Sequence, residues 1–410
     1  MPQALNRQLG GFDATTVGIG SIIGAGVFVV FSPAAAAAGS LLPLAVGLAA
    51  VVAYANAAAS AQLATVHPVS GGTYTYGRRQ LGEWPGFLAG WSFITGKLAS
   101  CAAMALTFGL YAAPGFEKAA GVAAVVALTS VNLLGITRTA LLTRIIVALV
   151  VPVLSFVIVV AFAQPADAPG AVPVGPTGVL QAAGLMFFAF AGYARIATMG
   201  EEVREPARNI PRAIFGALGF TLALYLLLAF GLLRAVGPDA LADSQAPLTE
   251  VFLPNGSLPG LAVAIAAALA SLGALLALIS GIARTTLAMA REGDLPRVFG
   301  AVSARRATPF AAELATAVVV IALLLGTDVL TVVGFSSFGV LLYYAVANLS
   351  ALTLASRPWY APRALNVLGL TGCLVLAFTL PVRSVLTMTV ILLVGLLGRA
   401  AMLLVQRGRH

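Results

Sequence analysis

Long apolar runs separated by short polar stretches set the pattern of this chain. A segment of about 20 mostly apolar residues is needed to cross a hydrocarbon core of about 30 Å. Twelve runs fit that length, at roughly 14–37, 42–66, 85–112, 119–136, 140–163, 177–200, 212–235, 258–290, 309–326, 328–354, 364–381 and 384–405. The third and eighth are long enough to tilt or to hold extra turns. Spans nearly touch at Gly326-Thr327-Asp328 and at Pro381-Val382-Arg383, while Gly39-Ser40 and the Pro- and Gly-rich stretches 164–178 and 236–260 mark turns. The pattern predicts an all-α integral membrane protein, residues 1–410 forming one transmembrane domain of twelve helices.

Composition narrows the choice of class. Apolar residues make up 60% and charged residues 9% of the 410. Mean hydropathy is +1.00. A soluble domain carries about 25% charge, so a soluble enzyme is excluded, and a disordered chain could not hold so much apolar material. Cys101 and Cys373 lie far apart, and His67 and His410 complete no metal-binding spacing. Without a nucleotide-binding loop, ATP-driven pumping by this chain is not expected. No cofactor is implied. The segment Met1–Asp13 has no cleavage signature, so the first run is expected to stay as a span.

The net charge of +9 comes from 23 Lys and Arg against 14 Asp and Glu. On a soluble protein this excess would suggest nucleic acid. Here the test is where the cations lie. An even number of spans puts both termini on one side. If that side is the cytoplasm, fifteen arginines fall in inner segments (Arg7, Arg78, Arg79, Arg138, Arg204, Arg208, Arg212, Arg291, Arg297, Arg305, Arg306, Arg357, Arg363, Arg407, Arg409) and three cations (Lys118, Arg234, Arg383) fall outside. That asymmetry is the positive-inside pattern of a multi-pass protein of the cytoplasmic membrane. The bilayer accounts for the basic residues, and no nucleic-acid partner is required.

Two spans are internally broken. The first holds four glycines in Gly18-Ile19-Gly20-Ser21-Ile22-Ile23-Gly24-Ala25-Gly26, each costing a helix about 1 kcal/mol relative to Ala. Gly20 and Gly24 also fit a close helix–helix contact. The sixth span carries Gly192 and Arg195 near its middle and runs into Gly200-Glu201-Glu202. Spans 1 and 6 occupy equivalent places in two five-span repeats, about 12–165 and 175–355, with two further helices at about 364–405. Interrupted helices at matching positions of two halves point to a transport site at mid-membrane. Unwinding exposes N–H groups to an anion and carbonyls to an ammonium, and a zwitterionic amino acid suits both.

Several motifs carry a family resemblance. Gly24-Ala25-Gly26-Val27-Phe28, Pro68-Val69-Ser70-Gly71-Gly72-Thr73-Tyr74 and Phe187-Phe188-Ala189-Phe190-Ala191-Gly192-Tyr193 are three of them. Arg284 to Pro296 and Thr308-Pro309 follow in order at compatible spacing. The sequence resembles the amino acid–polyamine–organocation superfamily of transporters across residues 12 to about 310. The resemblance implies a leucine-transporter-like 5+5 inverted repeat with alternating access. By position, Ile22, Ile23, Gly24, Ala25 and Gly26 would hold a substrate carboxylate. Phe188, Ala189, Phe190 and Gly192 would present carbonyls to the α-amino group and apolar surface to the side chain. Where many relatives have an acid after the Gly-Tyr pair, this chain has Ala194 and then Arg195. That departure argues for small or neutral amino acids over lysine, arginine or polyamines, with acidic ones open.

Charges inside spans need a partner or a cavity. Lys97 in span 3 and Arg195 in span 6 are gating or coupling candidates, together with Tyr193 and Glu202; Arg195 could equally snorkel toward Glu202. Thr285 and Thr286 could serve an ion, although bonding back to their own helix is the ordinary role. Asp13, Glu201 and Glu202 could form a gate with Arg204 or Arg291, or be solvated charges. The expected activity is secondary transport of amino acids, proton-coupled or by exchange. Transport of another amine or organic cation, or sensing of amino acids without transport, are the alternatives. An enzyme is not expected, because no converging catalytic groups occur in the spans.

Overall fold

The computed structural model describes residues 10–67, 72–134, 139–166, 174–193, 196, 203–252, 257–303 and 308–407, and contains no β-strand among them. In chain order its helices are α1 (Gly11–Ile22), α2 (Gly26–Val29), α3 (Phe31–Ala38), α4 (Leu42–Val66), α5 (Gly72–Leu81), α6 (Glu83–Ala112), α7 (Glu117–Leu133), α8 (Thr139–Ala163) and α9 (Gly178–Phe190). There follow α10 (Pro206–Ala235), α11 (Pro238–Asp243), α12 (Pro247–Glu250), α13 (Ser257–Arg291), α14 (Phe310–Gly326), α15 (Val329–Leu352), α16 (Arg363–Thr379) and α17 (Val382–Arg407).

Helix ends follow local chemistry. Pro206 starts α10 at a position where its missing N–H costs nothing. At the narrow junction between α14 and α15, the Asp328 carboxylate accepts the Thr331 N–H at 2.7 Å and caps α15. Asp328 thus marks the start of the second of two spans that nearly touch in sequence.

Eight described segments are long and apolar enough to cross a membrane, and three shorter apolar helices lie at Gly178–Tyr193, Phe310–Gly326 and Arg363–Thr379. This is a multi-pass membrane protein. Burial differs widely between the helices. The apolar window of α15 is 83% buried, whereas that of α17 is 22% buried. Leu386, Val390, Leu393 and Leu397 of α17 are exposed, as lipid-facing side chains should be, since acyl chains solvate them.

The centre is close-packed through small residues. Gly96 of α6 and Gly339 of α15 bring two backbones together: a Cβ on Gly339 would lie 2.7 Å from the Gly96 Cα. One turn on, the Ser100 and Ser336 hydroxyls are 2.6 Å apart and buried. Between α4, α15 and α16, Asn348 Nδ2 donates to Asn56 Oδ1 at 2.6 Å, and the Cys373 thiol donates to the same oxygen at 3.2 Å. A buried amide must be hydrogen-bonded to be tolerated, and this cluster ties α16 to the helices on which the two breaks rest.

A candidate substrate site at two interrupted helices

Helix α1 stops at Ile22. Ile23 departs from helical geometry (φ −78°, ψ 69°), and helix resumes only at Gly26. Helix α9 stops at Phe190 and tightens into a 3₁₀ turn over Ala191–Tyr193. Both breaks fall where the glycine pattern places them, and they meet. A Cβ on Gly26 would lie 2.8 Å from the Ala189 Cα and 3.2 Å from the Phe188 ring. At Gly192 a Cβ would collide with the Ser21 carbonyl. Only glycine allows main chain to touch main chain at these two points. By contrast, Gly20 packs against Thr143 and Val147 of α8, so it serves helix packing and not the break.

The backbone groups released by unwinding have identifiable partners. The Ile23 N–H still donates to Ile19 at 2.7 Å, and the Gly24 N–H donates to Ile22 at 2.9 Å. The N–H groups of Ala25 and Gly26 donate to no backbone carbonyl among the described residues. Of the five residues expected to hold a carboxylate, Ala25 and Gly26 are thus the two whose N–H groups have no backbone partner among the described residues. On the acceptor side, one hydroxyl serves both breaks: Tyr225 Oη of α10 lies 3.3 Å from the Ile22 oxygen and 3.2 Å from the Ala189 oxygen. Tyr344 Oη of α15 reaches the Ala191 oxygen at 3.4 Å. Away from the breaks, Tyr111 Oη donates to the Phe28 oxygen at 2.9 Å. Carbonyls inside a membrane must find donors, and tyrosines supply them here. Their rings pack at the same place, Phe190 against Tyr225 at 5.1 Å and Tyr193 against Tyr344 at 5.0 Å.

Ile22, Ile23, Gly24, Ala25, Gly26, Phe188, Ala189, Phe190 and Tyr193 are all buried here, with Gly192 half-buried. Gly24 faces Ala274 of α13 and Met104 of α6; a Cβ on it would lie 3.2 Å and 3.8 Å from them. Lys97 lies on the Met104 face of α6, seven residues earlier, or about 10 Å along the axis at 1.5 Å per residue. It is 7% exposed. Its ammonium makes no hydrogen bond or ion pair among the described residues. Arg195 and Glu202 lie outside the described residues, as do Ala194 and Glu201.

Other polar candidates have partners. Asp13 pairs with Arg144 of α8 at 3.0 Å. Thr285 bonds back to the Gly281 oxygen at 3.1 Å, its ordinary structural role. Trp91 donates its Nε1–H to the Ile391 oxygen of α17 at 2.9 Å. Sequence reasoning passed over Arg399 and Asp294. Arg399 was visible as a charge inside the last apolar run, but the burial of Asp294 depends on its neighbours in space.

The amino acid permease family model matches residues 9–398. The chain belongs to this family. The permease is 54% identical over 402 residues to an uncharacterized transporter of Mycobacterium bovis, covering 96% of this chain and 91% of the relative. It is 29% identical over 433 residues to a branched-chain amino acid permease of Bacillus subtilis, covering 96% and 92%. It is 28% identical over 381 residues to cationic amino acid transporter 7 of Arabidopsis thaliana, covering 84% and 65%. The permease is therefore a transporter of the amino acid–polyamine–organocation superfamily, and not an enzyme.

Proposed function

We propose that this permease carries small or neutral amino acids across the cytoplasmic membrane by alternating access. The observation that carries the reading is the main-chain meeting of two interrupted helices, with free N–H donors at Ala25 and Gly26 and carbonyls converging from α1 and α9. Donors at a helix start favour a carboxylate. The carbonyls of Phe188, Ala189, Phe190 and Gly192 suit the α-amino group, with the Tyr225 hydroxyl giving up the Ala189 oxygen when an ammonium arrives. The side chain then lies toward Phe188, Met104 and Ala274.

The twelve-span count and the 5+5 inverted repeat belong to this reading. The matching positions of the breaks in α1–α3 and α9 support them, and the arginine asymmetry supports cytoplasmic termini. The name of the Bacillus subtilis relative favours an apolar side chain, and Ala194 with Arg195 in place of an acid argues against a cationic one. Arg195 and Glu202 would act at the gate beside Tyr193.

Coupling to protons is the favoured mode, with exchange as the other. Lys97 is titratable, buried in a span and without a described counter-ion, and such a residue marks an ion or proton route.

Uptake into proteoliposomes of a labelled amino acid panel, under separate proton and sodium gradients, tests both parts. Neutral amino acids should accumulate with the proton gradient. Lys97→Met should lose gradient-driven accumulation while keeping exchange. Uptake restricted to lysine and arginine would overturn the substrate class. Gradient-driven accumulation by Lys97→Met equal to that of the wild type would overturn the coupling role.

A further inference from the structure

From Val329 to His410 the chain carries six arginines and neither aspartate nor glutamate. Anions for them must come from elsewhere in the fold or from outside it. Arg399 of α17 finds its anions in the fold, bonding Asp294 at 2.7 Å and Glu83 at 3.1 Å. Arg357 and Arg363, which flank the turn between α15 and α16, form no ion pair with a described residue.

That turn is fixed to its surroundings. Arg357 Nη2 donates to the Ala351 and Leu352 oxygens at 3.2 and 2.8 Å, which satisfies carbonyls at the end of α15. Tyr360 packs on Phe215 of α10 at 5.7 Å, and Gln62 of α4 donates to the Ser356 oxygen at 3.3 Å. The charge held there is uncompensated. Arg357 Nε and Nη1 are buried with no acceptor. Burial and the neighbouring Arg363 both hold the Arg357 pKa below the usual arginine value. Arg363 itself is exposed in the first turn of α16. Between the two arginines, Trp359 is 92% exposed.

Two neighbouring cations repel each other, and an anion between them removes that cost. Guanidinium groups match the oxygens of a phosphate. An exposed tryptophan at a span end belongs at headgroup depth, where the phosphates are those of lipids. Basic side chains just outside a span attract anionic headgroups.

We propose that Arg357, Trp359 and Arg363 form a binding site for the phosphate of an anionic phospholipid. Arg363 supplies the accessible donors, Arg357 the fixed positive charge and Trp359 the contact with the interface. The site is separate from the two breaks and does not depend on which amino acid is carried.

Native mass spectrometry of the full-length protein in detergent counts bound lipids directly. Phosphatidylglycerol should be retained in preference to phosphatidylcholine, which carries no net charge. Arg363→Gln should lower phosphatidylglycerol affinity about tenfold, the effect of losing one charge-assisted hydrogen bond, with phosphatidylcholine binding unchanged. The Arg363 side chain bonds no described residue, so the variant should fold, with an unchanged thermal midpoint. Arg297→Gln, at an exposed arginine outside this turn, should leave phosphatidylglycerol affinity as in the wild type. Equal affinity in wild type and Arg363→Gln would overturn the site, and so would equal losses in Arg363→Gln and Arg297→Gln. Displacement of phosphatidylglycerol by inorganic phosphate at similar concentration would mark a site for free anions and overturn the lipid assignment.

Discussion

At the scale of single residues, glycine decides where the backbone can be used for chemistry. The four glycines between 18 and 26 look alike in sequence but divide by role: Gly20 lies against α8, and Gly26 lies against the main chain of Ala189. Only the second kind leaves donors at the meeting of the breaks. Replacing Gly26 with Leu should abolish amino acid uptake while leaving membrane insertion intact, because the side chain would occupy the space between Phe188 and Ala189. Retained uptake at normal affinity, with wild-type levels of inserted protein, would refute the placement of the site. Tyr225 was not legible as a site residue. It is one tyrosine among nine, and its hydroxyl gains meaning only because folding brings Ile22 and Ala189 to it.

At the scale of helices, the elements were readable because each apolar run must form its own hydrogen bonds in lipid. The interruption of the first span was readable too, from the density of glycine. The depth of each helix in the bundle was not. Both α15 and α17 are largely apolar, yet α15 is central and α17 is peripheral. Small residues make the difference: Gly339 lets α15 approach Gly96 of α6. Gly339→Leu should therefore lower stability by about 1–3 kcal/mol or more, the usual range for overpacking. Thermal unfolding of the purified protein measures it, and an unchanged midpoint would mean that the contact is dispensable.

At the scale of the molecule, the arginine asymmetry predicts a direction. Arg79→Cys should react with a membrane-impermeant thiol reagent only in inside-out vesicles, and Lys118→Cys only in right-side-out ones. The reverse pattern would invert the topology, and labelling of both from one side would break the twelve-span count. At this scale the charges that sequence could sort were those outside the spans. Arg399 and Asp294 escaped that sorting because their burial comes from contacts between segments 105 residues apart.

Apolar periodicity, glycine density and charge asymmetry by themselves determined a helical membrane protein whose helices are interrupted near Gly24 and near Gly192. The reason is that a lipid solvent constrains each segment alone, whatever its neighbours are. Only the tertiary structure decided which N–H groups stay free, which hydroxyls serve the broken carbonyls and which ion pairs hold the last helix. Those depend on helices distant in sequence meeting at atomic distances, and no local pattern encodes the distance between them.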